Sequence, residues 1–87
     1  MRFRDEYVSR DDFYSLGVDE DTGGHYLSIP VSVGIADYEE HYALTPDDYR
    51  TLLADPDAAR ALADACRRRE HDDRLLEPPP ANRGSAV

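Results

Sequence analysis

Side chains able to do chemistry are few and scattered in this 87-residue chain. His25, His41 and His71 lie too far apart for metal-ligand spacing such as H-E-x-x-H. Within Glu39-Glu40-His41 only Glu39 and His41 would share a strand face, so they alone could hold a common ligand. The segment DEDTGG, residues 19–24, has the acids of a calcium loop. Counting from Asp19, however, puts Gly23 at the fifth position and Pro30 at the twelfth, where a bidentate Glu is required. Glu39 and Glu40 could serve as general acid and base only if a cleft drove their pKa values apart. Consecutive strand residues point to opposite faces, and a domain of this size rarely encloses such a cleft. Ser28 and Ser32 lack a nucleophile elbow, and no glycine-rich phosphate loop opens a helix. Cys66, in ALADACRRR, reads as a small buried helix residue, although the three arginines after it would lower a thiol pKa. The expectation is no enzyme, no metal and no cofactor.

What the chain has in excess is carboxylate. It carries 19 acidic and 10 basic residues, a formal net charge of -9, and every basic residue is Arg. Residues 1–66 hold 15 acids and 5 Arg, whereas 67–87 hold 4 acids and 5 Arg. Outside Arg67-Arg68-Arg69 there is no basic stripe to neutralise phosphates, which argues against nucleic acid and against an anionic membrane. Such a body steers toward a basic partner, although charge of this kind also serves solubility alone. One cysteine makes no internal disulfide, MRFRDEYVSR lacks the apolar run of a signal peptide, and no stretch reaches the ~20 apolar residues of a membrane span. A cytoplasmic location is expected.

The elements that must position these groups follow from period and capping. The first dozen residues read as a loose arm or a short strand at EYV. FYSLGVD alternates as a strand, DEDTGG is a turn with two glycines able to take positive φ, and HYLSIPVSV alternates cleanly. In the last, Leu27, Ile29, Val31 and Val33 form one face of a half-buried strand, and Pro30 marks an edge or bulge. Gly34 permits a tight return into IADYEEHYAL. Thr45-Pro46 and Asp55-Pro56 are N-cap and first-turn pairs for two helices, and Ala58, Ala59, Leu62, Ala65 and Cys66 share one face of the second. DRLL allows a last short strand. The fold class expected is α+β: a three- to four-stranded antiparallel meander packed against two C-terminal helices, one domain over residues 1–77 with 1–12 as a possible arm. Residues 78–87, Pro-rich, read as a disordered or extended tail.

In GIADYEEHYAL, Tyr38, Tyr42 and Leu44 facing the core would carry Glu40 with them and leave Asp37, Glu39 and His41 outside. A lone buried carboxylate is expensive. Either a bulge turns Glu39 and Glu40 to solvent, or Glu40 meets a cation from the C-terminal Arg cluster. The outward charges either blunt a strand edge against aggregation or form an acidic, tyrosine-lined surface for a basic protein.

The stretch HYLSIPVSVGIADYEEHYALTPDDYRTLLADPDAARALADACRRREHDDRLL, followed by NRG, resembles small immunity proteins encoded beside Rhs-type polymorphic toxins in bacteria. YLSIPVS, DYEEHY and CRRRE carry most of the resemblance, which spans residues 25–84; MRFRDEYVSRDDFYSLGVDED carries none of it. It implies an acidic cytoplasmic protein that neutralises a cognate, basic toxin domain by occluding its active site or substrate groove. On that expectation Asp37, Glu39, Glu40 and His41 make the contact, with Tyr38 and Tyr42 as neighbours and Asp19, Glu20 and Asp21 as a second set. The alternative is a non-catalytic regulatory domain that self-associates through the strand edge near Pro30. Oligomeric state is left open by the sequence.

Overall fold

The computed structural model describes residues 2–33, 36–78 and 85–86. The fold is α+β. Strands β1 (Phe3–Ser9), β2 (Tyr14–Asp19), β3 (His25–Val33) and β4 (Ala36–Leu44) form an antiparallel meander in that order. Helices α1 (Pro46–Ala54) and α2 (Pro56–Arg67) then cover one face, and a two-residue strand, β5 (Ser85–Ala86), pairs with β3. Gly34, assigned above to the return between β3 and β4, lies outside the described residues, as does most of the 78–87 tail.

Both helices start where the capping chemistry placed them. Thr45 Oγ1 accepts the Asp48 N–H at 3.1 Å, and Asp55 Oδ1 accepts the Ala58 N–H at 3.2 Å. Each removes one orphan donor from a helix start, and Pro46 and Pro56 lose nothing by lacking an N–H there. Asp55 also ends α1, its own N–H bonding the Thr51 carbonyl. The buried face of α2 consists of Ala59, Ala63, Ala65 and Cys66, with Ala58 and Leu62 partly buried beside it. Such small side chains let α2 lie close over β3. Beneath them sit Leu16, Leu27, Ile29, Val31 and Tyr42, all 1% exposed or less.

Three local expectations are settled or corrected. Of the two readings of the N-terminal segment the strand holds, over seven residues rather than at EYV alone, interrupted by a register shift between Asp5 and Tyr7 that makes Glu6 the extra residue of a bulge. DRLL forms a 3-10 turn over Asp72–Arg74, after which Leu75 bridges Tyr42 and the Leu76 N–H bonds the His41 carbonyl. Finally, β3 is buried on both faces: Tyr26 and Ser28, on the side away from the helices, are fully buried. The cause is the β1–β2 hairpin, which curls over that side and brings Phe3 onto the Tyr26 ring. Gly17 makes the curl possible, because a Cβ there would meet the Tyr26 hydroxyl at 2.5 Å.

Pro30 lies in an interior strand, yet its missing donor is harmless. The His41 carbonyl points outward to Leu76, so the Ser28–His41 and Pro30–Glu39 pairs are the non-hydrogen-bonded ones and the Pro30 nitrogen faces away from β4. On that side β2 pairs no further than Ser28, and β5 begins only at Val31.

Candidate functional site

The residues proposed for partner contact separate onto two sides of β4. Glu40 and Tyr42 are in the core, 4% and 1% exposed, and Tyr38 is half-buried with them. The β3–β4 register runs without interruption through Glu39 and Glu40, so no bulge carries Glu40 to solvent. Two phenols meet its charge: Tyr38 donates to Oε2 at 2.7 Å and Tyr42 to Oε1 at 2.8 Å. Period two places all three side chains on one face, and two phenolic O–H groups replace part of the lost hydration. Glu40 and Tyr42 thus lie inside the core, and Tyr38 keeps part of its surface in solvent.

Asp37, Glu39 and His41 point the other way, onto the face that carries no helix. The hairpin adds Asp5 and Phe3, which share this face through Gly17 and Asp19. Ser28 donates to Glu39 Oε1 at 3.4 Å, and Tyr26 donates to Asp5 Oδ1 at 2.6 Å. His41 is stacked on Phe3 with ring centroids 3.7 Å apart and meets Tyr26 edge-on at 4.8 Å. Burial holds the His41 pKa below the usual imidazole value, although Asp5 and Glu77 pull the other way. Burial and the neighbouring Asp5 charge raise the Glu39 carboxyl.

The turn acids divide as well. Asp19 is buried, and its Oδ1 accepts the Arg2 N–H at 3.2 Å and the Asp21 N–H at 3.0 Å. Burial alone would raise its carboxyl, but these backbone donors outweigh it and keep the pKa below the usual range. Asp19 therefore ties the turn together. Glu20 is exposed but lies 3.6 Å from Arg4, and Asp21 is exposed at the turn.

Charge is paired unevenly over the molecule. On the helices, Arg50 pairs with Asp47, Arg60 with Asp57 and Arg67 with Asp64, each three residues apart, and Arg68 pairs with Glu70 just beyond. Arg4 lies between Glu6 and Glu20. Among the described residues no cation lies within ion-pair distance of Asp5, Asp37 or Glu39. The uncovered sheet face thus keeps the charge of these three carboxylates, while Asp47, Asp57, Asp64 and Glu70 each have an arginine beside them.

Ser28 faces His41 across the β3–β4 pair, but its hydroxyl donates to Glu39 and the imidazole is packed against Phe3. Among the described residues, no cluster of three or more His, Cys, Asp or Glu is arranged to hold a metal ion. The Cys66 thiol is buried, and burial pushes its pKa up to about 12 against the pull of Arg74 and Arg67. Among the described residues no helix is long and apolar enough to cross a membrane.

Sequence patterns alone did not disclose Asp5, Phe3 or Tyr26 as members of this face. Asp5 reaches it only through β1 pairing, which the bulge at Glu6 conceals from any simple alternation. Comparison with protein-family models, with curated proteins and with solved structures finds no match to this chain.

Proposed function

We propose that this chain is a non-catalytic binding protein whose helix-free sheet face receives a basic protein. In keeping with the resemblance of residues 25–84, we take that protein to be a cognate toxin domain, which the chain neutralises in the bacterial cytoplasm by covering its active site or substrate groove. One observation carries the reading: among the described residues no cation lies within ion-pair distance of Asp5, Asp37 or Glu39, which share a face, whereas three of the four carboxylates within the helices, Asp47, Asp57 and Asp64, each pair with an arginine three residues on. Unpaired carboxylates on a firm sheet give long-range attraction and little self-screening.

Calorimetry between this protein and the toxin domain encoded immediately upstream of its gene tests the reading. The expected result is 1:1 binding that weakens with added salt, and at least tenfold weaker binding by the Asp37→Arg/Glu39→Arg variant. Undiminished binding by that variant, or no binding by the unmodified protein, overturns it.

A further inference from the structure

A notch opens where the β1–β2 turn parts from β3, beside Pro30. Its volume is about 260 Å³, and its walls include Val8, Arg10, Phe13, Pro30 and Glu39. Two of these are apolar side chains left largely in water, Val8 at 54% and Phe13 at 55% exposure. Phe13 also has φ 54°, in the left-handed region that a bulky residue seldom adopts. The turn is held in that shape from outside, since the Arg67 guanidinium donates to the carbonyls of both Asp12 and Phe13. A strained backbone that displays an aromatic ring to solvent, and is fastened there by a side chain 54 residues away, points to a use for the ring.

We propose that this notch receives an arginine side chain from the basic partner, its stem against Val8 and Pro30, its guanidinium on the Phe13 ring and its N–H groups on the Glu39 carboxylate. The inference rests on the reading above that the sheet face binds a basic protein, and it names the side chain recognised. Charge complementarity selects the occupant. Glu39 forms the acidic wall, its other oxygen partner is the neutral Ser28 hydroxyl, and Asp37 and Asp5 share its face. Arg10 also lines the notch, without an ion pair among the described residues, and Asp11 and Asp12 in the same turn outweigh its charge. Arginine is favoured over lysine because a planar guanidinium can lie on an aromatic ring and still offer two parallel N–H bonds to a carboxylate.

The test is an NMR titration of the full-length protein with acetyl-Gly-Arg-Gly-amide and with the same peptide carrying neutral, nearly isosteric citrulline. Shifts are expected at the Val8, Phe13 and Glu39 amides, with arginine preferred over citrulline by about fivefold or more. Glu39→Gln is expected to remove that preference, and Phe13→Ala to weaken both peptides while melting as the unmodified protein does. Equal affinity for the two peptides, or shifts confined to other parts of the molecule, overturns the inference. Failure of the two readings is separable. Toxin-domain binding that Glu39→Gln and Phe13→Ala leave intact removes the arginine notch alone, whereas arginine-selective shifts without toxin binding remove the immunity reading alone.

Discussion

Tyr42 donates its phenolic hydrogen to Oε1 of Glu40, two residues back along β4, at 2.8 Å where both side chains are buried. Tyr38 completes the arrangement on the other carboxylate oxygen. A strand places residues i-2, i and i+2 on one face, so a Tyr-x-Glu-x-Tyr pattern brings two phenols to its own buried charge. The cost of breaking it comes from the group left behind. Tyr42→Phe is expected to destabilise by about 1–3 kcal/mol, the penalty of a buried acceptor deprived of a donor. Glu40→Ala, which also opens a cavity under α2, is expected to cost about 2–4 kcal/mol. Urea unfolding of the two variants measures both, and a loss below 0.5 kcal/mol for Tyr42→Phe would remove the bond from any stabilising role.

Gly17 governs how the hairpin curls. An added Cβ would run into the Arg4 carbonyl oxygen and into the Tyr26 hydroxyl, and the first of these is backbone that cannot step aside. Gly17→Ala is therefore expected to lose about 2–3 kcal/mol, as overpacking does, and to lower Tm by roughly 8 °C or more in a domain of this size. Gly24→Ala is the control. Its nearest neighbour would be Thr22 Oγ1 at 3.3 Å, the end of a small exposed side chain, and its thermal melt should shift little.

The parts of this fold that were legible in sequence are those whose causes are local. Thr45-Pro46 and Asp55-Pro56 announce helix starts because the side chain that caps and the N–H that it caps are three residues apart. Leu27, Ile29 and Val31 announce β3 by alternation alone. The opposite face of β3 misleads, since Tyr26 and Ser28 look like the wet side of a half-buried strand. What covers Tyr26 is Phe3, more than twenty residues away, reaching across a sheet that can curl only because residue 17 has no side chain. Glu40 was placeable on the core face by period, but whether an arginine or its tyrosine neighbours would meet it depends on rotamers and on the helix above. The acidic character of the sheet face was visible in Asp37 and Glu39; its third member, Asp5, was hidden by the bulge at Glu6.

His41 links stability to pH. Its folded-state pKa lies below the value of about 6.5 that it has in an unfolded chain, because burial against Phe3 and Tyr26 disfavours the cation more than Asp5 and Glu77 favour it. The unfolded state therefore binds the proton first as pH falls. Its contribution to stability is whole above pH 6.5, declines as pH drops from there through the folded pKa, and is constant below that. Unfolding free energies measured from pH 8 to pH 5 should fall on this limb for the native sequence and fall less for His41→Gln. NMR titration of the His41 ring should give a midpoint under 6.5; a midpoint above it would reverse the predicted slope.

Glu39 and Glu40 are consecutive in sequence and opposite in consequence. Glu40 is buried and satisfied, and neutralising it removes an acceptor for two phenols. Glu39 is exposed, has no cation within ion-pair distance among the described residues, and has a carboxyl raised by partial burial and by the neighbouring Asp5 charge. A carboxyl whose folded pKa lies above its unfolded value is destabilising when ionised, and the penalty is relieved as pH falls through the folded pKa. Glu39→Gln is thus expected to leave the protein slightly more stable at pH 7, by less than about 1 kcal/mol since the group is solvent-screened. The gain should vanish near pH 4, where the native side chain is itself protonated. Paired urea titrations at the two pH values check it. A loss of stability at pH 7 would mean that the Ser28 bond to Glu39 outweighs the repulsion from Asp5, and the carboxylate would then be part of the scaffold rather than charge held ready for a partner.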